Sequence, residues 1–329
     1  MVNRAHFRPF VERARQLPPL PAAFVYPCDR DTLQLAVSAA FTGTLAPVLV
    51  GPEARIQDVA GKAGIDIAQF PIVDTADDPR TAAHRAAALA RSGRIRAWVR
   101  GSLGLDELVA PLLAADSDLR GTRRLSHADF LDLPGHPRGV LVADARLNLA
   151  PGLAAKRDIV QNTIDFARAL GVAAPQVALL AALDVVHPAV PSTGDAALLA
   201  GMAARGQFGA ATVAGPLMPD VALFEAAARG SGRAAAVAGR ADVLIAPSME
   251  AAALLVRALT GITGGLAAGL ILGATLPVVA GAASDTMEAR MASCVLAALL
   301  AAAMQADAGT ATTSGLPARA DAPAVGLSP

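Results

Sequence analysis

The chain has 329 residues, of which 54% are hydrophobic and 17% charged. That length exceeds one ordinary core and suits two domains. Lys plus Arg (28) balance Asp plus Glu (28) and aromatic residues make up 3%, so a nucleic-acid binder, which needs a basic face, is set aside. Cys28 and Cys294 are far apart and read as reduced, apolar thiols. The five histidines are scattered without HExxH or CxxC spacing, and no metal is implied.

Taken in chain order, apolar runs of strand length alternate with longer stretches of helical period. Residues 23–26 predict a strand and 29–40 a helix opened by Asp29 or Asp31. Residues 47–50 predict the next strand, ending at Gly51-Pro52. A helix over 80–92, a strand over 95–99 and a helix over 105–113 follow, and the strand 140–142 ends in Asp144. The second half repeats this order. Val160, Ile164 and Ala167 share one face of a helix over 156–170, which Gly171 is placed to end. Then come a strand (177–182), a helix (195–205), a strand (211–214) closed by Gly215-Pro216, a strand (243–246) closed by Pro247, and a helix (251–259). An Ala- and Leu-rich helix over 287–304 comes last. This order predicts an α/β fold: two α/β/α domains with mostly parallel sheets. The first domain takes 1–143 plus 270–329, to which the chain returns, and the second takes 144–269. After Gln305 the composition turns to Ala, Gly, Thr, Ser and Pro, so 306–329 are expected to form a disordered tail.

The first 16 residues carry His, Arg and Glu and do not read as a signal peptide. Residues 258–284 have no charged side chain and exceed the ~20 residues that span a bilayer. Gly261, Gly264, Gly265, Gly269, Gly273 and Pro277 interrupt them. In pieces they predict a helix end, a Gly-rich turn and two buried strands, 270–272 and 277–280. A soluble, cytoplasmic protein without a membrane span is expected.

Ligands of open α/β sheets bind where strand carboxyl ends meet helix N-termini, so the candidate site is sought in those loops. Arg100-Gly101-Ser102-Leu103-Gly104 offers free backbone N–H groups, a hydroxyl and a guanidinium before a helix. That suits phosphate; it is also the makeup of an ordinary strand-helix turn. Arg123 and Arg124 are placed either to clamp phosphoryl or carboxylate oxygens or to form a solvated charged turn. Ser126 and His127 follow, the latter a candidate general base or donor. Asp144 and Asn148 lie in the linker at 143–151. Ser192 and Thr193 precede a helix that either could cap. Gly215 follows a strand, and Asp220 could bind substrate or cap the next helix.

Several short stretches in sequence order carry a resemblance. They are Asp29-Arg-Asp, Val48-Leu-Val-Gly-Pro-Glu-Ala-Arg, Arg100-Gly-Ser-Leu, Arg124-Leu-Ser-His, Asn148-Leu-Ala-Pro and Asp158-Ile-Val-Gln-Asn-Thr-Ile-Asp. Val190-Pro-Ser-Thr, Ala214-Gly-Pro-Leu, Val237-Ala-Gly-Arg-Ala-Asp-Val-Leu-Ile and Pro277-Val-Val continue the series. Over about 27–303 the chain resembles the phosphate acetyltransferase/phosphate butyryltransferase family, the butyryl-type branch in particular. It also resembles the transacylase half of enoyl-CoA hydratase/phosphate acetyltransferase fusions. The resemblance implies a fold related to that of isocitrate dehydrogenases, with an interdomain cleft. It implies transfer of a short acyl group between CoA and inorganic phosphate, with coenzyme A or acyl-CoA as substrate, no bound cofactor or metal, and a homodimer. The loop residues named above are then the expected substrate contacts.

The family reads Thr-Ser-Arg-Ala-Asp-Ser after its last strand, and its Ser-Arg pair is assigned to catalysis and substrate binding. This chain has Gly281-Ala282-Ala283-Ser284-Asp285-Thr286 there. Ala282 and Ala283 occupy the Ser-Arg positions, which leaves Ser284 and Asp285 as the candidate catalytic groups. Ala214, Ser248 and Ala253 also stand where the family often has polar residues. Two functions stay open: a working phosphate acyltransferase, and a catalytically impaired homologue that binds CoA or acyl phosphate as a partner or regulatory subunit. A dehydrogenase lacks support, because no GxGxxG turn follows a strand.

Overall fold

A computed structural model describes residues 2, 4–114, 117–231, 236–282 and 284–313. The chain begins with α1 (Arg8–Ala14), β1 (Leu20–Val25), α2 (Arg30–Phe41), β2 (Leu45–Gly51), α3 (Glu53–Ala63), β3 (Ile72–Asp74), α4 (Pro79–Arg91), β4 (Ala97–Arg100) and α5 (Leu105–Leu113). It continues through β5 (Ser126–Asp132), β6 (Val140–Ala143), α6 (Leu153–Ala169), β7 (Gln176–Leu180), α7 (Pro191–Ala204), β8 (Thr212–Leu217), α8 (Pro219–Leu223), α9 (Glu225–Gly230) and β9 (Val243–Ile245). It ends with α10 (Met249–Thr263), β10 (Leu266–Leu272), β11 (Val278–Val279) and α11 (Met287–Thr313). Local chemistry sets several helix ends. The side chains of Asp29, Asp78 and Ser248 accept backbone N–H groups from the first turns of α2, α4 and α10. Gly64 and Gly264 close α3 and α10 in the left-handed conformation.

All strands join one sheet in the order β3-β2-β1-β4-β11-β10-β5-β6-β9-β7-β8. The β1–β4 strands and β11 pair in parallel, as do β6, β9, β7 and β8. Three antiparallel pairings separate the two blocks: β11 with β10, β10 with β5, and β5 with β6. An odd number of reversals means the blocks run in opposite directions. In sheet order β11 and β6 flank the central β10–β5 pair. One apolar core runs along the sheet and includes Phe24, Trp98, Ile164, Leu270 and Leu296. A second fills the face of β6, β9 and β7 under α8 and α10, with Val142, Ala178, Val221, Leu244 and Val256.

The α/β class and the mostly parallel pairing agree with the sequence. The apolar stretch 258–284 is a helix end followed by β10 and β11, as expected, although β10 starts four residues earlier, at Leu266. The strand β5 is not among the expected strands; only its first two residues, Ser126 and His127, were placed, in a loop. All seven of its residues are buried, but Ser126, His127, Asp129 and Asp132 disguise it as a polar segment. Pro191, at the first helical position, starts α7 ahead of the expected residue 195. Helix α11 continues past residue 304 to Thr313, so the expected tail boundary at 306 is too early; 314–329 lie outside the described residues. Residues Met287–Asp307 of α11 are long and apolar enough to cross a membrane, with mean hydropathy 1.5. Here 61% of the most apolar window is buried, and α11 packs on β10, α1 and α2.

Candidate active site

The connection between β11 and α11 is organised by Asp285. Its Oδ2 accepts the Ala282 N–H at 2.7 Å and lies 3.7 Å from Arg146 Nη2. Three further guanidinium groups meet the same connection. Arg100 Nη1 donates to the Gly281 carbonyl at 3.3 Å, and Arg290 Nε donates to the Asp285 carbonyl at 3.3 Å. From α10, Arg257 Nη1 and Nη2 donate to Ser284 Oγ at 3.4 Å. Four positive charges thus surround a connection whose own carboxylate is Asp285, and such a surplus favours an anion. Of the two candidate catalytic groups, Ser284 is exposed and Asp285 is half-buried at the centre of the arginines. Ala282 lines the adjoining cavity with no side-chain donor; Ala283 lies outside the described residues.

That cavity is about 520 Å³ and is lined by Asp29, Thr32, Arg100, Ser102, Glu107 and Arg290, among others. Gly101 is required at its wall: a Cβ there would come within 2.4 Å of the Tyr26 carbonyl oxygen and 2.6 Å of that of Val25. The expectation of free backbone N–H groups in this turn is corrected for three residues. Gly101 N donates to Val25 O at 2.9 Å, Ser102 N to Tyr26 O at 2.8 Å, and Gly104 N to Glu107 Oε2 at 2.7 Å. The Ser102 hydroxyl donates to Asp29 Oδ2 at 2.6 Å. Burial alone would raise the Asp29 carboxyl, but hydrogen bonds from Ser102 and Thr32 and the charge of Arg290 outweigh it and hold the group low. Arg100 is pushed below its ordinary value by burial first, then by the like charge of Arg146, with Arg290 adding to it.

On the other side of the connection, β5 alternates its side chains between two faces. Ser126 and His127 therefore point opposite ways and do not form one site. Ser126 Oγ is buried and accepts Asn162 Nδ2 from α6 at 2.9 Å. His127 lies with Asp129, Nδ1 to Oδ2 at 3.6 Å, both buried. Burial pushes the His127 imidazole down, with Arg146 adding to it, and pushes the Asp129 carboxyl up to about 6. An imidazole held neutral by burial binds a proton only weakly and is closed to solvent, so the general-base expectation for His127 weakens. Asp144 and Asn148 act through the backbone instead. Asp144 Oδ1 accepts the N–H groups of Arg146 at 2.9 Å and Leu147 at 3.0 Å, and its Oδ2 accepts Asn148 Nδ2 at 2.5 Å. Asn148 also donates to the Leu125 carbonyl and accepts Arg124 Nη1 at 3.2 Å. These bonds fix the loop that presents Arg146.

The remaining candidates are elsewhere. Arg123 donates to Asn162 Oδ1 at 2.7 Å and to Asp165 Oδ2 at 2.5 Å, and lines a separate cavity of about 620 Å³ with Arg168 and Met304. Thr193 is not a cap: its Oγ1 donates to Val190 O at 2.7 Å, and Val190 holds the N-cap position of α7. Asp220 is exposed in the first turn of α8, where Met218 holds the cap position. A Cβ on Gly215 would collide with Leu179. Among the described residues, no hydrogen bond or ion pair joins Ser192, Thr193, Gly215 or Asp220 to the arginine group. No group of three or more His, Cys, Asp or Glu side chains is gathered to hold a metal ion among the described residues. Burial pushes the Cys28 and Cys294 thiols up to about 11 and about 12. The sequence did not single out Arg146, Arg257 or Arg290 as site residues. Arg146 had one signal, its place two residues after the strand-end Asp144.

The site can be set beside known proteins. Residues 80–298 match the family model described as phosphate acetyl/butaryl transferase. The chain belongs to the phosphate acetyl/butyryl transferase family. A phosphate acetyltransferase of Rhizobium meliloti is 42% identical over 296 residues, covering 90% of this chain and 93% of the relative. A phosphate butyryltransferase of Clostridium beijerinckii is 31% identical over 297 residues, covering 90% and 98%. The crystal structure of a branched-chain phosphotransacylase from Enterococcus faecalis V583 matches with TM-score 0.75 at 25% identity, covering 86% of this chain and 99% of the other. Relatives named for acetyl transfer and for butyryl transfer both match the chain.

Proposed function

We propose that this chain is a phosphate acyltransferase that moves a short acyl group between CoA and inorganic phosphate: acyl-CoA plus phosphate gives acyl phosphate plus CoA. The observation that carries this is the convergence of Arg100, Arg146, Arg257 and Arg290 on the connection after β11, beside a cavity of about 520 Å³. In the forward direction a phosphate oxygen adds to the thioester carbonyl carbon. The carbonyl oxygen becomes an oxyanion, then re-forms the double bond as the carbon–sulfur bond breaks. The CoA thiolate leaves and ends as the thiol, with the proton that the attacking hydrogen phosphate gives up. Each stage carries negative charge that guanidinium groups placed in advance can meet. Asp285 orders those groups, and Ser284 is a hydroxyl in contact with Arg257. Arg100 and Ser102 line the substrate cavity, and Arg124, Asp144 and Asn148 shape its neighbouring loop.

The proposal extends to coenzyme A as substrate rather than resident cofactor, and to a cytoplasmic homodimer. Residues 1–143 plus 270–329 and 144–269 are its two units on either side of the cleft, and the acyl chains are those of the butyryl-type branch. Thiol release from acetyl-, propionyl- and butyryl-CoA in the presence of phosphate tests the activity and ranks the chains. Sedimentation reports the dimer. Absence of thiol release with CoA binding retained in calorimetry would overturn the proposal in favour of a binding homologue.

A further inference from the structure

We propose that Arg146 is a phosphate-binding residue of this site, supplying from the loop after β6 a guanidinium that the connection after β11 does not itself carry. The inference rests on the acyltransferase reading and deepens it. Three observations carry it. The Arg146 side chain is 21% exposed, and its Nη2 approaches Asp285 Oδ2 only to 3.7 Å, beyond hydrogen-bonding reach. Its Nε is buried and has no hydrogen-bond partner among the described residues. A buried guanidinium donor without an acceptor is costly, and an arriving oxyanion removes that cost. The backbone of Arg146 is nevertheless fixed, because its N–H is held by Asp144, which Asn148 holds in turn.

Arg146 also stands beside Arg100, whose positive charge it opposes more strongly than any other neighbour does. Two guanidinium groups that meet one connection, Arg100 at Gly281 and Arg146 at Asp285, invite an acceptor of two negative charges with several oxygens, and phosphate presents that to a planar fork. The backbone N–H groups of Gly101, Ser102 and Gly104 are committed elsewhere, so those three leave the holding to other donors, the side-chain cations first. The phosphates of CoA, on a long flexible molecule, suit the exposed Arg257 better than a mostly buried group.

The test is a comparison of wild type, Arg146→Ala and Arg146→Lys. In thiol-release kinetics Arg146→Ala is expected to raise the KM for phosphate about tenfold or more and to leave that for acyl-CoA within about twofold. Arg146→Lys should fall between, and added guanidinium ion should restore part of the rate lost in Arg146→Ala. A phosphate titration followed by phosphorus NMR should show the same weakening without any turnover. Wild-type phosphate affinity in Arg146→Ala overturns the inference. So does equal loss toward phosphate and acyl-CoA without guanidinium rescue. A wild type that releases no thiol, while Arg146→Ala still weakens the phosphate titration, overturns the acyltransferase reading and upholds the phosphate site.

Discussion

Arg146 Nη2 stands 3.7 Å from Asp285 Oδ2. That contact joins the loop after β6 to the connection after β11 across the two strands, β5 and β10, that separate them in the sheet. Each partner comes from a different parallel block, so the site exists only where the blocks meet.

Asp285→Asn should expose the dependence of the arginine group on its carboxylate. The amide oxygen can still accept the Ala282 N–H, now made at 2.7 Å, but the charge facing Arg146 is lost. The bond from Ala282 loses its charge assistance and Arg146 loses the charge that orders it, together on the order of 1.5–3 kcal/mol, so kcat/KM is expected to fall about 10- to 100-fold. Thiol release at varied phosphate checks this, and an unchanged kcat/KM removes Asp285 from the site.

Arg123→Ala separates the two neighbouring arginines of the sequence. Arg123 is tied to Asn162 and Asp165 and faces the other cavity. The KM for phosphate should stay within about twofold of wild type. Because the Arg123 side chain is 38% exposed, solvent discounts the ion pair and the stability loss should be about 1 kcal/mol or less by urea unfolding.

Gly101→Ala should cost about 1–3 kcal/mol in the same assay. The added methyl would press on the carbonyl oxygens of Tyr26 and Val25 at 2.4 and 2.6 Å, which are backbone atoms and cannot swing aside. Ser102 is displaced with it, so activity should fall as well.

The buried His127–Asp129 pair predicts opposed pH effects on stability. Asp129 rises from 3.8 to about 6, so between those values the unfolded chain releases this proton first and stability falls as pH rises. His127 drops from 6.5 to about 3, so between those values the unfolded chain binds the extra proton and stability climbs as pH rises. In wild type the two offset one another between 3.8 and about 6. Asp129→Asn should therefore gain stability with rising pH through that window, and His127→Gln should lose it, each by on the order of 1 kcal/mol per pH unit. Urea midpoints across the window decide; identical pH slopes in both variants would contradict the assignment.

The three-residue β3, which ends in Asp74, gave no apolar run, but much of the first block was legible because β1, β2, β4 and β11 are apolar runs and α2 carries the cap Asp29. The strand β5 was not, since burial of Ser126, His127 and Asp129 is sustained by partners on α6, β6 and the arginine loops that no local pattern announces. The same limit governs the site. Arg100 was found because it adjoins a Gly-Ser turn. Arg146, Arg257 and Arg290 sit on unrelated elements and gain meaning only when the antiparallel centre of the sheet brings those elements together. Arg123 and Arg124, adjacent in sequence, part company because successive residues entering a strand face opposite sides.

The placement of β10 and β11 has a consequence for synthesis. Both come from residues after 265, yet they occupy the middle of the sheet, between β4 and β5. As the chain leaves the ribosome, the earlier strands can assemble only as two separate sheets, each with an unpaired inner edge. Those edges stay open to other nascent chains until Val278 and Val279 emerge. A messenger truncated before that point would yield sticky half-sheets rather than a smaller working protein.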